Sequence, residues 1–333
     1  MEGNATLEVH PAITALQQGT LGVGFSGSGF LLFYFFGVLS HLLDAGVVSQ
    51  RTPMAGSSGG AITALAAGCC GRQPSDLFDD MAATAEACRR ERQCYHTLDA
   101  AVRRQLSETL PTDVAARCGG TGFVAVTRVA ADGPDLPVVL GRDYIDRNDV
   151  IEAAAASSFL PFWSSPAPFT AVRGFDAYDG GFTSPLPCPP AAVTNVTYCI
   201  RIQAQPYGTP PSGITEQARP QHCCTALIPQ AMAQFRALAR FGAGNATDGA
   251  PAPELDPQPA PLPPYVDIAP GKPGLSPLPF EPAIWSSFQI TALPNASVAR
   301  VIYDLGAADA EAWARDTGLA AAAGAARRMR GPH

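Results

Sequence analysis

Five consecutive residues, Gly56-Ser57-Ser58-Gly59-Gly60, constrain this chain more than any other stretch. They fit Gly-x-Ser-x-Gly with Ser58 at the centre. Such a pentad calls for a sharp strand-to-helix turn that holds the serine hydroxyl out of the backbone, within reach of a substrate. A side chain at a flanking glycine would collide with the neighbouring strand or block a reacting ester. Small, helix-compatible residues follow at 61–67, so a helix is expected whose N-terminus points at Ser58. Taken alone, an ordinary Gly/Ser turn before a helix explains the pentad as well.

Two further segments shift the balance. Upstream, residues 21–25 alternate as a half-buried strand does, then pass through Gly27-Ser28-Gly29 into the apolar run 30–39. A glycine loop between strand and helix exposes backbone N–H groups beside a positive helix terminus, where an oxyanion can be held. Downstream lies Tyr178-Asp179-Gly180-Gly181. By itself this is a plain Asp-Gly-Gly turn, but the three segments in this order rarely occur together by accident.

With these motifs the chain resembles the patatin-like lipid acyl hydrolases, and within them the animal neutral-lipase (adiponutrin-like) branch. The family opens on a glycine-rich oxyanion loop, matched here by Gly27, Ser28 and Gly29. Its Gly-x-Ser-x-Gly elbow is matched by 56–60, and its Asp-Gly-Gly/Ala motif by Asp179-Gly180-Gly181. The Ala/Ser-rich stretch 155–162, which reaches Pro161, also resembles the family's. The resemblance covers about residues 19–205. The chain departs from many members by carrying Leu31 where they have Arg or Lys, and Leu32 where they have Gly; leucine at 31 suits the neutral-lipase branch.

The resemblance implies a three-layer α/β/α fold with a mostly parallel central sheet. It also implies a Ser58–Asp179 dyad: Asp179 accepts the Ser58 proton as the hydroxyl attacks an ester carbonyl, an acyl-enzyme forms, and water releases the fatty acid. Each backbone donor at the oxyanion is typically worth ~3–4 kcal/mol of barrier. A carboxylate with the ordinary pKa of ~3.9 is a weak base, so a dry pocket that raises it would help. No cofactor or metal is implied. The partner is a lipid substrate, met at a membrane or lipid-droplet surface.

Three rival readings use the same residues. A Ser–His–Asp hydrolase needs a histidine late in the chain; of His10, His41, His96, His222 and His333, only His222 is a serious candidate. Nucleotide binding is suggested by Gly22-Val23-Gly24-Phe25-Ser26-Gly27, with Asp44 beyond it, but two of these glycines fall inside the strand and Ser58 and Asp179 are left without a purpose. The third is a lipid-surface protein that keeps the fold without the chemistry.

Net charge is −7 and the single lysine is Lys272, which argues against general nucleic-acid binding. Arginine clusters at 89–92, 103–104 and 327–330 could touch anionic headgroups, although solvated helix faces explain them more simply. The longest apolar run, 30–39, is half the ~20 residues that span a bilayer, so it is read as a buried helix. Residues 1–18 lack a basic start and a continuous apolar centre, so no signal peptide is expected there.

Nine cysteines with no Cys-x-x-Cys pair argue against structural zinc and suggest reduced, buried thiols. One pattern pulls the other way: four of the five asparagines (Asn4, Asn195, Asn245 and Asn295) stand in Asn-x-Ser/Thr sequons, which hints at a secretory lumen where cysteines pair. A cytoplasmic or peripheral membrane location is otherwise favoured.

The expected order is an N-terminal extension (1–18), a catalytic core (19–205) and a C-terminal helical and proline-rich extension packed on it (206–333). Strands are expected at 20–25, 53–55, 122–130, 137–140 (a hairpin with the preceding one), 196–202 and 297–303. Helices are expected at 30–45, 75–91, 95–107, 147–156 with Asp146 as cap, 224–241 and 307–330. Residues 250–282 are too rich in proline for either. The apolar residues Phe159, Leu160, Phe162, Trp163 and Phe169 are candidates for an acyl groove or for ordinary core.

Overall fold

The computed structural model describes residues 9–209 and 265–330. The expected helix at 224–241, His222 and the first part of the proline-rich segment, residues 250–264, lie outside the described residues. Seven strands form one sheet: β1 (Leu21–Phe25), β2 (Met54–Ser57), β3 (Gly122–Arg128), β4 (Leu136–Leu140), β5 (Thr170–Val172), β6 (Phe175–Asp179) and β7 (Tyr198–Ile202), in the order β5-β6-β3-β2-β1-β7 with β4 also on β3. Strands β7, β1, β2 and β3 are parallel to one another, and β4, β5 and β6 run in antiparallel pairings. Both β1 and β2 are buried along their whole length, as strands covered on two faces must be. The sheet is thus mixed and mostly parallel, in the expected α/β class.

Helix α1 (Pro11–Gln18) precedes the sheet. After β1 a short 3₁₀ turn at Gly29–Leu31 leads into α2 (Leu32–Asp44), nine of whose residues are buried. A helix apolar on all sides must be covered on all sides. The helix α3 (Gly59–Thr63) follows β2 and continues as a π turn through Cys69. Then come α4 (Pro74–Arg90), α5 (Leu98–Thr109), α6 (Val114–Cys118), α7 (Arg147–Ser157) and α8 (Ala191–Thr194). Asp146 caps α7 as expected, its carboxylate accepting from the Asp149 N–H at 2.9 Å. The second helix expected from residue 95 starts instead at Leu98. The reason lies in the backbone before it, where Arg92, Gln93, Cys94 and His96 all take positive φ.

The C-terminal part corrects the sequence reading. Residues 297–303 are not a strand: they open the long helix α10 (Ala296–Asp316), which follows the short α9 (Pro282–Ser287). Val298, Val301 and Ile302 favour extended backbone. That preference loses to the Asn295 cap, which accepts from the Val298 N–H at 2.9 Å. It loses also to burial of Ala299, Ile302, Tyr303, Gly306 and Ala310 along one helical stripe. The helix expected over 307–330 is divided at Gly318 (φ 77°), and α11 (Leu319–Arg330) follows.

Helices α2 and α10 meet through glycine. A Cβ on Gly306 would lie 2.1 Å from the Tyr34 carbonyl oxygen, and one on Gly37 would fall still closer to the Tyr303 carbonyl. The backbones therefore touch, and beside the crossing the buried Tyr34 hydroxyl donates to Asp309 at 2.7 Å. Burial raises the pKa of both groups, and the proximity of the Asp309 carboxylate raises that of Tyr34 further. We expect Gly306→Ala to destabilise the fold by about 2 kcal/mol, because overpacking between backbones outweighs the ~1 kcal/mol gained in helix propensity. Gly324→Ala, where a Cβ meets nothing within 4 Å, is the control and should be neutral or slightly stabilising. Chemical denaturation of both variants checks this.

The expectation of reduced thiols is overturned. Disulfides join Cys69 to Cys118, Cys88 to Cys94 and Cys188 to Cys199. Cys70 is a free, buried thiol whose pKa burial pushes up to about 12. No sequence spacing announced these pairs, because each brings together cysteines from different elements.

Candidate active site

The register of the sheet builds the site. Ser57, the last residue of β2, pairs with Ala125 of β3, and Asp179, the last residue of β6, pairs with the next β3 residue, Val126. Strand β4 occupies the other edge of β3 over Val124–Arg128. Hence β2 and β6 approach each other from opposite directions along one edge of β3, and their C-terminal ends meet. Ser58 and Asp179, far apart in the chain, stand at that junction. Thr127 on β3 fixes it further by donating its hydroxyl to the Asp179 carbonyl at 2.8 Å.

Ser58 has φ 55° and ψ −128°, a conformation that costs a non-glycine residue on the order of 1–3 kcal/mol. The surroundings hold it there. A Cβ on Gly60 would be 2.4 Å from the Ser26 carbonyl oxygen, so the helix can press against the end of β1 only with glycine at this position. The Ser58 N–H donates to the Ser157 Oγ at 2.8 Å, and the Ser157 hydroxyl in turn donates to the Ala125 carbonyl at 2.6 Å. Ser157 ends α7 and is fully buried. It ties the strained turn to the central strand.

Sequence reasoning missed this role: the Ala/Ser-rich stretch drew attention as a motif, but nothing in it singled out Ser157. We expect Ser157→Ala to leave two buried backbone groups unpaired, costing ~1–3 kcal/mol of stability, and to lower kcat ~10–100-fold with KM nearly unchanged, as loss of nucleophile alignment would. Steady-state kinetics with a soluble ester, alongside denaturation, checks the split.

The Ser58 side chain stands close enough to the Asp179 carboxyl to pull its pKa down. Asp179 accepts from the Gly181 N–H at 2.8 Å and is 4% exposed. Burial raises its pKa to about 7, against the smaller opposing pull of Ser58 and the Gly181 N–H. The carboxyl is therefore poised between its two forms near neutrality, as a base operating there needs to be.

The glycine loop lies beside the pair. Gly27, Ser28 and Gly29 all line the same cleft as Ser58 and Asp179. Their N–H groups differ. That of Gly27 donates to the Pro185 carbonyl at 3.3 Å, whereas those of Ser28 and Gly29 have no acceptor among the described residues and are free to meet an anion.

From this polar corner a cleft of about 1550 Å³, counting its open mouth, runs between α4, α5 and the segment after α9. Its walls include Phe30, Leu32, Phe36, Ile62, Leu77, Met81, Leu106, Leu160, Trp163 and Leu293. Leu32, which stands where many family members have Gly, thus forms part of the apolar wall. Of the five aromatic and apolar candidates before Asp179, Leu160 and Trp163 line the cleft, while Phe159 belongs to a separate small cluster with Tyr178, against which Phe162 and Phe169 pack. Gln93, Gln289, Ile290, Thr291 and Leu293 complete the rim. They come from a distant part of the chain, so only folding reveals them.

Three histidines are described, His10, His41 and His96, and none lines the cleft; His222 and His333 lie outside the described residues. Gly22 and Gly24 sit inside β1 rather than at a phosphate-binding turn. Two of the arginine clusters are engaged in ion pairs: Arg89 and Arg90 with Glu86, and Arg103 with Asp99 and Glu152. Among the described residues no helix is long and apolar enough to cross a membrane.

Comparison with known proteins agrees with the geometry. The family model described as patatin-like phospholipase matches residues 24–192. Patatin-like phospholipase domain-containing protein 2 of Rattus norvegicus is 31% identical over 173 residues, covering 50% of this chain and 34% of that protein. The omega-hydroxyceramide transacylase of Homo sapiens is 31% identical over 172 residues, covering 50% and 31%. The human 1-acylglycerol-3-phosphate O-acyltransferase PNPLA3 is 28% identical over 172 residues, covering 50% and 34%. The matched part spans about a third of each relative's own length.

Proposed function

Because this chain belongs to the patatin-like phospholipase family, we propose that it cleaves fatty-acyl esters of glycerolipids through a Ser58–Asp179 dyad. The observation that carries the reading is the meeting of Ser58 and the buried Asp179 carboxyl where β2 and β6 end, at the head of an apolar cleft. Asp179 removes the Ser58 proton as Oγ attacks the ester carbonyl. The N–H groups of Ser28 and Gly29 receive the developing oxyanion. The acyl chain lies along the cleft wall, where each buried methylene contributes ~0.8 kcal/mol. The tetrahedral intermediate collapses, the Asp179 carboxyl returns its proton to the departing alcohol, and an acyl–Ser58 ester remains. Water, deprotonated by the same carboxylate, then releases the fatty acid.

A second reading has its own support. Two of the relatives are named as a transacylase and an acyltransferase. The same acyl–Ser58 ester can be attacked by an alcohol in place of water, with Asp179 again taking the proton. The test is a panel of triacylglycerol, galactolipid, phospholipid and lysophospholipid substrates with the purified chain, with and without monoacylglycerol as acceptor. Free fatty acid as the main product supports hydrolysis. New acylglycerol at its expense supports transfer. Neither product from any lipid would favour a protein that keeps the fold without the chemistry.

A further inference from the structure

Two of the four sequons fall among the described residues, and both asparagines are exposed. Asn195 takes the left-handed conformation (φ 57°) at the end of α8, inside the loop closed by the Cys188–Cys199 disulfide. Asn295 caps α10. Its Oδ1 is engaged by the Val298 N–H, but its Nδ2 has no acceptor among the described residues. A substituent on Nδ2 leaves Oδ1 an amide oxygen, so the cap survives modification.

The disulfides are an independent observation pointing the same way. Among the described residues six cysteines pair in three bridges, and such bridges form and persist in oxidising compartments. That is also where asparagine side chains meet oligosaccharide donors.

We propose that Asn195 and Asn295 are N-glycosylation sites of a protein that folds in an oxidising secretory compartment. The donor is a polyprenyl-diphosphate-linked oligosaccharide. The Asn Nδ2 attacks the anomeric carbon, the N–C bond forms as the C–O bond to the diphosphate breaks, and the diphosphate leaves with the electron pair. The displaced amide proton passes to a base of the transferase. The two sites stand differently to the cleft. Asn195 precedes β7, whose first residue pairs with the first residue of β1, so it lies at the end of the parallel strands opposite Ser58. Asn295 is two residues beyond Leu293, which lines the cleft, so its glycan borders the entrance.

The test uses the full chain isolated from its native cells. Thiols are blocked, the protein is treated with peptide-N-glycosidase in ¹⁸O-water, and peptides are analysed by mass spectrometry. The expected result is ¹⁸O-labelled aspartate at positions 195 and 295, with the three disulfide-linked peptides recovered intact. Label at only one position removes the other site. Unlabelled asparagine at both, or alkylated cysteines in place of the bridges, overturns the proposal. In recombinant secreted chain, Asn195→Asp and Ser297→Ala each abolish one sequon while sparing the Asn295 cap, and each should remove one step of the glycosidase-sensitive mobility shift.

Discussion

Ser58→Ala is expected to lower turnover of any ester substrate by at least ~10³-fold, the scale seen when the nucleophile of a covalent mechanism is deleted. The methyl group fits, since Ser58 is nearly buried and its N–H bond to Ser157 does not involve the side chain. Folding should therefore be preserved, and circular dichroism and the denaturation midpoint should match the wild type. The same variant should fail to react with a serine-directed phosphonate. Turnover within ~10-fold of wild type would mean that water attacks the ester directly.

Asp179→Asn is the second large effect, and it separates chemistry from stability. The amide can still accept from the Gly181 N–H but takes up no proton, so kcat should again fall by at least ~10³-fold. Stability should move the other way. The Asp179 carboxyl has a pKa of about 7 in the folded chain and ~3.9 when unfolded. Between those values the folded state holds a proton that the unfolded state has released, so stability falls as pH rises from about 4 to about 7 and then levels off. Each pH unit in that window corresponds to ~1.4 kcal/mol. The asparagine variant lacks this loss and should be more stable than the wild type at neutral pH, with the difference vanishing near pH 4. Denaturation at several pH values measures it.

The motifs of the candidate site stood out in the sequence more sharply than the elements around them. Gly-x-Ser-x-Gly and Asp-Gly-Gly are legible because the turns at Ser58 and Gly180 tolerate so few residues: a Cβ on Gly180 would fall on the Ala125 carbonyl oxygen. The mostly parallel sheet was implied by the family resemblance that the same motifs carry, and it suits the alternation of the expected strands and helices. The helix at 296–316 was misread because local β-propensity at Val298, Val301 and Ile302 gave no hint of the partner helix that buries its stripe. The Cys69–Cys118 pair, Ser157 and the rim residues Gln93 and Leu293 were invisible for a common reason. Each acts through a contact between elements remote in sequence, and short-range periodicity carries no information about such contacts. The head-on meeting of β2 and β6 on one edge of β3 belongs to the same class.

The most direct measurement is the rate at which a phosphonate labels Ser58 as a function of pH, in the wild type and in Asp179→Asn. The rate in the wild type should climb as the Asp179 carboxyl ionises, with a midpoint at about pH 7, while the variant should label slowly at every pH. Equal, pH-independent labelling of the two proteins, or attachment of the probe to a residue other than Ser58, would contradict the pairing of this serine with this carboxylate.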